Sequence, residues 1–370
     1  MRVGVIGGGQ LARMMIPPAV ALGVELRVLA EAADSSAALA ATAVGDYRDA
    51  ETVLAFSAGV DVVTFDHEHV PQEVLAELVA RGVAVHPGPH ALAVAQDKIV
   101  MRERLSAIGA PVPDWARVAD AAELGAFLAD HGGVAVVKTP RGGYDGKGVR
   151  VVRDATGADD WFASALDGLL VEEFVPFRRE LAQLVARRPS GEVRAWPLVE
   201  TVQRDGVCAE VFAPAPRAGE LPDAARTLAE RIASELDVTG VLAVELFEAE
   251  DGRLLINELA MRPHNTGHWT IDGAVTSQFE QHLRAVLDLP LGDTRPLAPV
   301  SVMVNILGGP SGERMPDRYA PAMADRPEVK LHSYAKESRP GRKVGHVTAT
   351  GVELDDVVAR ARAAAAFFQD

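Results

Sequence analysis

The sequence predicts a multidomain protein of mixed α/β and α+β class. A strand, a glycine-rich turn, a helix and a second strand follow one another in residues 1–30, which is the order of a parallel α/β unit. Further along, glycines are concentrated between two short apolar runs at 134–152, and an Asp-Gly pair separates two more at 241–259. At 370 residues the chain is long enough for two or three domains.

The composition is that of an ordinary globular protein and argues against several function classes. Hydrophobic residues make up 48% of the chain and charged residues 24%, and no run approaches the roughly 18 apolar residues of a membrane helix. The net charge of −15 argues against general nucleic-acid binding. A single cysteine, Cys208, excludes an intrachain disulfide, and a chain that begins directly with a strand predicts no signal peptide. We therefore expect a cytoplasmic protein that binds neither membranes nor nucleic acids.

The turn at 7–12 has the spacing G-x-G-x-x-A and follows the first apolar run. This spacing fits the dinucleotide-binding fingerprint, and Glu31 lies near the place of a ribose-binding acid, so a nicotinamide-dependent oxidoreductase is one interpretation. The motif is weak by itself, because amides at a helix N-terminus hold any phosphate or carboxylate. Pro17 and Pro18 are also expected to interrupt the helix early.

A further apolar run at 61–65 ends in Asp66 and Glu68. Polar residues at the carboxyl end of a strand in an open α/β sheet are where ligands bind. The same two acids would equally suit a cap for the helix expected at 71–81, and the sequence leaves both interpretations open.

Lys138 ends an apolar strand and leads into a glycine cluster. Four glycines and Lys147 lie within the seven residues 142–148. A plain hairpin needs one or two glycines, so the cluster favours a loop that folds over a triphosphate, with amides and lysine as donors. The next strand ends in Glu172 and Glu173, as in the hinge of a nucleotide cleft. Either acid would reach ribose hydroxyls, and a solvated acidic edge is equally compatible with these residues.

The apolar runs at 241–259 predict a β-hairpin. If the Asp-Gly pair alone forms its turn, Phe247 faces Ile256. Glu245 then faces Glu258, and opposed carboxylates repel by roughly 0.2–1 kcal/mol at a solvated site. A structure retains such a pair where a cation lies between the two, and magnesium takes carboxylate ligands of this kind in nucleotide sites. A solvated hairpin with two unrelated glutamates is the alternative.

Two polar or basic segments follow the hairpin. Arg262, His264 and Asn265 come directly after its second strand and suit an anionic substrate. Four basic residues lie within the eight positions 336–343 of an otherwise acidic chain. They predict a phosphate clamp, since arginine binds phosphate bidentately and lysine as a point charge; a solvated turn is the alternative.

On these motifs the chain resembles the 5-(carboxyamino)imidazole ribonucleotide synthases of the ATP-grasp superfamily over essentially its whole length. In two places it departs from the family pattern: Phe65 and Asp66 stand where the family has Tyr-Glu, and Met261 stands where it often has proline. The resemblance is carried by GGGQLARM at 7–14, RGGYDGKG at 141–148, INELAMRPHNTGHWT at 256–270, SQFEQHLRAVLDLPL at 277–291 and SYAKESRPGRKVGH at 333–346.

The resemblance implies an ATP-grasp fold with a Rossmann-like N-terminal domain at 1–96, a linker helix and small central lid at 97–175, and a C-terminal domain at 176–370. It implies a carbon–nitrogen ligase of purine biosynthesis that uses ATP, Mg²⁺ or Mn²⁺ and bicarbonate to carboxylate 5-aminoimidazole ribonucleotide through carboxyphosphate. It also implies a homodimer. A formate-dependent glycinamide ribonucleotide formyltransferase-like enzyme, the NAD-dependent oxidoreductase and a non-catalytic nucleotide sensor are the alternatives.

The resemblance also implies roles for individual residues. The metal ion would be held by Glu245 and Glu258. The catalytic contacts would come from Arg262, His264, Asn265, Tyr144, Asp145 and Lys147. ATP would be bound by Lys98, Lys138, Gly143, Tyr144, Asp145, Gly146, Lys147, Gly148, Glu172, Glu173, Phe174, Val175, Glu180, Gln203, Asn257 and Glu258. The ribonucleotide would be bound by Gln10, Leu11, Glu68, Lys336, Arg339, Arg342 and Lys343.

Overall fold

The computed structural model describes residues 1–143, 147–165 and 167–369, and these contain three β-sheets. The N-terminal part of the chain forms a parallel sheet with helices between its strands, as predicted. Its elements are β1 (Arg2–Ile6), α1 (Gln10–Leu22), β2 (Glu25–Ala30), β3 (Ala41–Val44), α2 (Ala50–Ser57), β4 (Val62–Phe65), α3 (Gln72–Ala80) and α4 (Pro89–Gln96). The strand order is β3-β2-β1-β4.

The helix α1 continues through Pro17 and Pro18, so the expected interruption is wrong. Its buried residues, which include Met15 and Ala19, pack in the core of the N-terminal sheet. This packing outweighs the loss of two backbone donors in the helix interior. The helix ends at Gly23, whose φ of 65° supplies a left-handed C-cap.

The central part of the chain forms a linker helix and a small antiparallel sheet. The elements are α5 (Lys98–Ala107), β5 (Trp115–Val118), α6 (Ala121–Asp130), β6 (Ala135–Lys138), β7 (Val149–Val152), α7 (Asp159–Phe162) and β8 (Leu169–Glu173). The strand order is β5-β8-β6-β7. Asp97 caps α5 by accepting hydrogen bonds from the amides of Ile99 and Val100. The glycine cluster joins β6 to β7.

The C-terminal part forms a large antiparallel sheet. The elements are β9 (Phe177–Arg187), β10 (Val193–Ala195), β11 (Val199–Arg204), β12 (Val207–Ala213), α8 (Leu221–Glu235), β13 (Gly240–Ala249), β14 (Leu254–Ala260), α9 (Thr270–Gly273), α10 (Gln278–Val286), β15 (Val300–Leu307), α11 (Tyr319–Asp325), β16 (Lys330–Ser333), β17 (Lys343–Gly351) and α12 (Leu354–Ala366). The order is β14-β13-β9-β11-β12-β15-β17-β16, with β10 beside β9. None of the helices in the described ranges is long and apolar enough to cross a membrane.

The predicted hairpin is formed by β13 and β14, but its turn has three residues rather than two. The amide of Gly252 donates to the carbonyl of Ala249 at 2.9 Å, and Gly252 has a φ of 87°. This is a type I turn closed by a glycine in the left-handed region. The pairing next to the turn is therefore displaced by one residue, and Phe247 faces Leu255 rather than the predicted Ile256.

A β-bulge at Asn257 then restores the predicted register. Glu245 faces Glu258, as predicted, whereas Ile256 faces the residue that follows Glu245, so Asn257 is the extra residue of β14. Ile256 and Leu259 both belong to the core that contains α8. Strict alternation would direct Ile256 and Glu258 to the same face. The bulge therefore turns Glu258 away from this core and onto the face that carries Glu245.

The helix α10 joins the N-terminal sheet to the C-terminal sheet. Its residues Phe279 and Leu283 pack in the same cluster as the buried face of α1. Burial lowers the pKa of His282 to about 3, so its ring is neutral. The ring accepts a hydrogen bond from the Val241 amide at 3.1 Å, and its other nitrogen lies 2.7 Å from the hydroxyl of Thr64. These contacts fix the end of β4 relative to β13.

Candidate functional site

Three carboxylates share one face of the C-terminal sheet. Glu245 pairs with Glu258 on one side and with Ala182 on the other, and Glu180 lies two residues from Ala182 on β9. Burial, together with the negative charges of Glu258 and Glu180, raises the pKa of Glu245 to about 8. A bound cation would relieve this repulsion, so the face is suited to hold one.

The donor set fits a divalent cation of the magnesium class. Within the described ranges, no group of three or more His, Cys, Asp or Glu residues is arranged to hold a metal ion. Two carboxylates, Glu245 and Glu258, would supply oxygens and leave the other coordination positions to phosphate oxygens and water. Nucleotide sites hold Mg²⁺ in this way.

Two lysines from different parts of the chain lie beside these carboxylates. The Nζ atom of Lys98, at the start of α5, is 3.8 Å from Glu258 Oε1. The Nζ atom of Lys138, at the end of β6, donates to Asn257 Oδ1 at 3.1 Å and lies 2.7 Å from Glu172 Oε2. The structure thus brings together five residues that the sequence analysis assigned to ATP and metal binding.

The two acids at the end of β8 have different surroundings. Glu172 is 3% exposed, and its two carboxylate oxygens are bound by Lys138 and Arg102. Burial by itself would raise the pKa of Glu172, but the charges of Lys138 and Arg102 hold it below its ordinary value. Glu173 is only half-buried and accepts one hydrogen bond from the amide of Asp114 at 3.2 Å. The structure therefore favours Glu173 over Glu172 for a ribose contact.

The remaining residues predicted to surround adenine and ribose lie where the central sheet joins the C-terminal sheet. Phe174 is exposed and Val175 is buried in the segment between β8 and β9. On the C-terminal sheet, burial raises the pKa of Glu180, while a hydrogen bond with Gln203 opposes this effect. The contacts of these four residues with a nucleotide stay predictions.

The glycine loop between β6 and β7 is closed by its own backbone. The amide of Thr139 donates to the carbonyl of Gly148 at 2.9 Å, and Gly148 has a φ of 72°. A Cβ atom at Gly143 would overlap the carbonyl of Lys147, so glycine is required there. The lysine itself is exposed. Three residues with predicted roles lie outside the described residues: Tyr144, Asp145 and Gly146.

An ion pair connects the predicted bicarbonate loop to the N-terminal sheet. The Nε atom of Arg262 donates to Glu68 Oε2 at 2.7 Å. The side chain of Gln278 binds both the amide of His264, at 2.8 Å, and its carbonyl, at 2.7 Å, which fixes the loop. Asn265 is buried, and its amide nitrogen and oxygen have no hydrogen-bond partner in the part of the chain that the structure describes. This amide is therefore suited to an oxygen-rich ligand.

The imidazole of His264 contributes a dipole rather than a charge to this loop. Its Nε2 atom lies 3.3 Å from Glu245 Oε1, and its Nδ1 atom is 2.9 Å from the hydroxyl of Thr266. Burial, together with the charges of Arg262 and Lys343, lowers the pKa of His264 well below its ordinary value. Positive charge in the bicarbonate loop therefore comes from Arg262.

Carboxylates already occupy the amides of the glycine turn that precedes α1. The amide of Gly8 donates to Glu31 Oε2 at 3.0 Å, and the amide of Ala12 donates to Asp66 Oδ1 at 2.7 Å. A Cβ atom at Gly9 would overlap the Asp66 carboxylate. A dinucleotide places its pyrophosphate at this position, so the structure argues against the oxidoreductase. The expectation that Asp66 caps the helix at 71–81 is also wrong, because Asp66 caps α1.

The predicted ribonucleotide residues of the N-terminal part meet the basic turn between β16 and β17. The Nζ atom of Lys336 donates to Gln10 Oε1 at 2.7 Å. Leu11 lies in the core of the N-terminal sheet with 6% of its surface exposed. The prediction that Leu11 binds the substrate therefore concerns its backbone, since its side chain packs in this core.

The four basic residues of the predicted phosphate clamp have different contacts. Arg339 is exposed and Arg342 is partly buried, and each donates to Glu337. The charge of Lys343, by contrast, acts on the pKa of Glu245 and opposes its rise. The charge of Lys343 therefore reaches the carboxylate face, and its place in a phosphate clamp stays a prediction.

The sequence analysis did not identify Arg102 of α5. Arg102 is 1% exposed, forms an ion pair with Glu172, and donates from its NH2 group to the carbonyl of Asn257 at 2.6 Å. It lies three residues from Ile99 and three from Leu105, on the buried stripe of the helix. An arginine on such a stripe is the signal that would have identified it, because arginine is rarely buried without a partner.

Comparison with known protein families assigns most of the chain to three consecutive domains. Residues 1–96 match the ribonucleotide synthetase preATP-grasp domain, and residues 103–279 match the ATP-grasp domain. Residues 301–360 match the phosphoribosylaminoimidazole carboxylase C-terminal domain. The order of these matches agrees with the predicted fold.

Individual relatives are similar over nearly the full length. The N5-carboxyaminoimidazole ribonucleotide synthase of Mycobacterium tuberculosis strain H37Rv is 53% identical over 98% of this chain and 86% of its own. The crystal structure of the synthetase from Thermus thermophilus has a TM-score of 0.87 and 38% identity, covering 97% of each chain. The synthase from Aspergillus clavatus in complex with ADP and 5-aminoimidazole ribonucleotide has a TM-score of 0.88 and 31% identity, covering 99% of this chain and 98% of its own.

Proposed function

Because the chain belongs to the family of N5-carboxyaminoimidazole ribonucleotide synthases, we propose that it carboxylates 5-aminoimidazole ribonucleotide in purine biosynthesis. It is an ATP-dependent carbon–nitrogen ligase with an ATP-grasp domain. The overall reaction consumes ATP, bicarbonate and the ribonucleotide, and it yields ADP, phosphate and the N-carboxylated ribonucleotide. A homodimer in the cytoplasm is part of this proposal.

The carboxylate pair on the hairpin carries the proposal. Bicarbonate is a poor electrophile, so its oxygen first attacks the γ-phosphate of ATP, and the bond to the leaving ADP oxygen breaks to give carboxyphosphate. Mg²⁺ or Mn²⁺ on Glu245 and Glu258 would supply the charge that neutralises the β- and γ-phosphates. Lys98, 3.8 Å from Glu258, and Lys138 would orient the same phosphates.

The second step joins the carboxyl group to the amine. The exocyclic nitrogen of the ribonucleotide attacks the carboxyl carbon, the bond from this carbon to the phosphate oxygen breaks, and the nitrogen loses a proton. Arg262 and Asn265 would hold the carboxyl oxygens, and Gln10, Glu68 and Lys336 would hold the ribonucleotide. The ion pair between Glu68 and Arg262 supports this assignment, since it brings the two groups of residues into contact.

Phosphate release provides the test. We expect phosphate to form from ATP when both bicarbonate and the ribonucleotide are present, and ¹³C-bicarbonate to give a carbamate carbon signal attached to the product. Formate in place of bicarbonate should give no phosphate. Phosphate release with formate would instead support the formyltransferase alternative. ATP binding without phosphate release would support the nucleotide sensor, and a fluorescence change on titration with NADH would support the oxidoreductase.

A further inference from the structure

A buried network of charges lies underneath the proposed phosphate site. Arg102, Lys138 and Glu172 are each less than a tenth exposed, and they come from the linker helix and from two strands of the central sheet. The fourth member, Asn257, belongs to the C-terminal sheet and is the residue of the bulge. The network therefore connects one helix and three strands that are far apart in the sequence.

The polar groups of this network bind one another. Glu172 Oε1 accepts from Arg102, and Glu172 Oε2 lies 2.7 Å from Lys138 Nζ. Lys138 also donates to the side-chain oxygen of Asn257, at 3.1 Å, and Arg102 donates to its backbone carbonyl at 2.6 Å. Two cations thus share one carboxylate, and the network keeps one net positive charge.

We propose that Arg102 is a positioning residue for ATP, because it neutralises Glu172 and binds the backbone carbonyl of the bulge residue Asn257. The proposal rests on the proposed use of Lys138 and Asn257 in ATP binding. Without Arg102, the Glu172 carboxylate would be balanced by Lys138 alone, and the positive charge of this lysine would no longer be available to a phosphate. With Arg102 in place, the surplus charge lies at Lys138.

The contact with the bulge gives Arg102 a second effect on the site. The carbonyl of Asn257 is in the one residue of β14 that has no partner on β13. Arg102 binds the Glu172 carboxylate through Nε and this carbonyl through its NH2 group, so one planar guanidinium fixes both groups. Arg102 therefore also maintains the register that turns Glu258 toward Glu245.

The test measures nucleotide binding independently of catalysis. We expect Arg102→Gln to weaken the binding of a non-hydrolysable ATP analogue with Mg²⁺ about tenfold or more by calorimetry, and Arg102→Lys to have an intermediate effect. The dissociation constant of the ribonucleotide should change less than about twofold. In the steady state, KM for ATP should rise while KM for the ribonucleotide stays nearly constant.

A double-mutant cycle separates positioning from simple core stability. In a Glu172→Gln background the carboxylate that needs Arg102 is absent, so adding Arg102→Gln should weaken analogue binding less than about threefold. If Arg102→Gln alone does not fold, Arg102→Lys replaces it in both backgrounds of the cycle. An equal effect of Arg102→Gln in both backgrounds, or unchanged analogue binding in the Arg102 variants, would overturn the proposal.

Arg187 offers a matched control. It is a partly buried arginine that also has one carboxylate partner and one carbonyl partner, Asp237 at 2.8 Å and Val238 at 3.2 Å. It lies at the end of β9, seven residues from Glu180, or about 23 Å along the strand. Arg187→Gln should leave analogue binding unchanged. Analogue binding by a wild-type protein that releases no phosphate with bicarbonate would contradict the proposed function and leave the inference on Arg102 testable.

Discussion

Glu245→Gln should stabilise the protein without metal and destabilise it, relative to the wild type, when magnesium and nucleotide are present. In the metal-free protein, burial and the neighbouring carboxylates raise the pKa of Glu245 from 4.5 to about 8. Between these two pH values the unfolded chain has lost a proton that the folded chain still holds. The stability of the wild type therefore falls as the pH rises from 4.5 to 8. Above pH 8 the contribution of Glu245 to stability no longer changes with pH.

The size of the effect follows from the interval between the two pKa values. At about 1.4 kcal/mol for each pH unit, the interval corresponds to an upper limit of about 5 kcal/mol. The Glu245 side chain is 24% exposed, so solvent screening reduces the expected loss to on the order of 2 kcal/mol. Glutamine is neutral at every pH and has the same volume, so Glu245→Gln avoids this loss.

Magnesium and nucleotide should reverse the order of the two proteins. A ligand that binds only the folded state at a hundred times its dissociation constant adds about 2.7 kcal/mol of stability. The wild type should gain this amount from Mg²⁺ with a non-hydrolysable ATP analogue, and Glu245→Gln should gain much less, because it lacks one of the two charges that hold the ion. Urea unfolding at about pH 6 and about pH 8.5, first with EDTA and then with Mg²⁺ and the analogue, measures the difference in unfolding free energy between the two proteins. This difference should change sign when the ligands are added.

Glu248→Gln on the same strand is the control for the metal-free measurement. Its carboxylate is buried and bound by Arg179, so removing the charge leaves this partly buried arginine with Glu200 as its remaining carboxylate partner and should lower stability under all four conditions. Equal urea midpoints for the wild type and Glu245→Gln in EDTA at the higher pH would refute the argument that the carboxylates repel each other in the folded protein.

Three further changes address other parts of the site. Glu258→Gln should abolish ATP turnover and leave the unfolding midpoint within a few degrees of the wild type, since charge is lost without volume; full phosphate release would remove the carboxylate pair from the mechanism. Lys336→Ala and Lys343→Ala should each raise KM for the ribonucleotide about tenfold and leave KM for ATP nearly unchanged; an equal rise of both constants would mean that the phosphate clamp is misassigned. Glu68→Gln should raise KM for the ribonucleotide and for bicarbonate together, because Glu68 holds Arg262; a change in only one of the two constants would argue that the ion pair does not link their sites.

The opposed glutamates were predicted correctly from the sequence, although the two-residue turn on which the prediction was based is wrong. A two-residue turn would place Glu245 opposite Glu258 directly. The structure reaches the same pairing through a three-residue turn and a bulge at Asn257, and the two displacements cancel. Turn length follows from local residue types, but a bulge depends on what packs against each face of the strand. It could not be predicted from one sequence.

The contacts that sequence analysis missed are those between distant segments. Arg102 is 70 residues from Glu172 and 155 residues from Asn257, and no local pattern relates these positions. The same reason explains why the predicted interruption of α1 at Pro17 and Pro18 was wrong. Their effect on an isolated helix is known, but the N-terminal core and α10 hold α1 together. The sequence shows motifs with a fixed spacing, such as the glycine turn. It does not show which distant side chains bind the backbone amides of that turn.

If the ribonucleotide binds as proposed, the negative charge at the glycine turn gives it a direction. A hydrogen bond from His67 lowers the pKa of Glu31 to about 2, although burial opposes this, so the turn carries a permanent negative charge. A 5′-phosphate would be repelled there and attracted by the ammonium group of Lys336. The base of the ribonucleotide must then point toward Arg262, with its amine leading. An enzyme that accepted the opposite orientation would need a neutral side chain in place of Glu31.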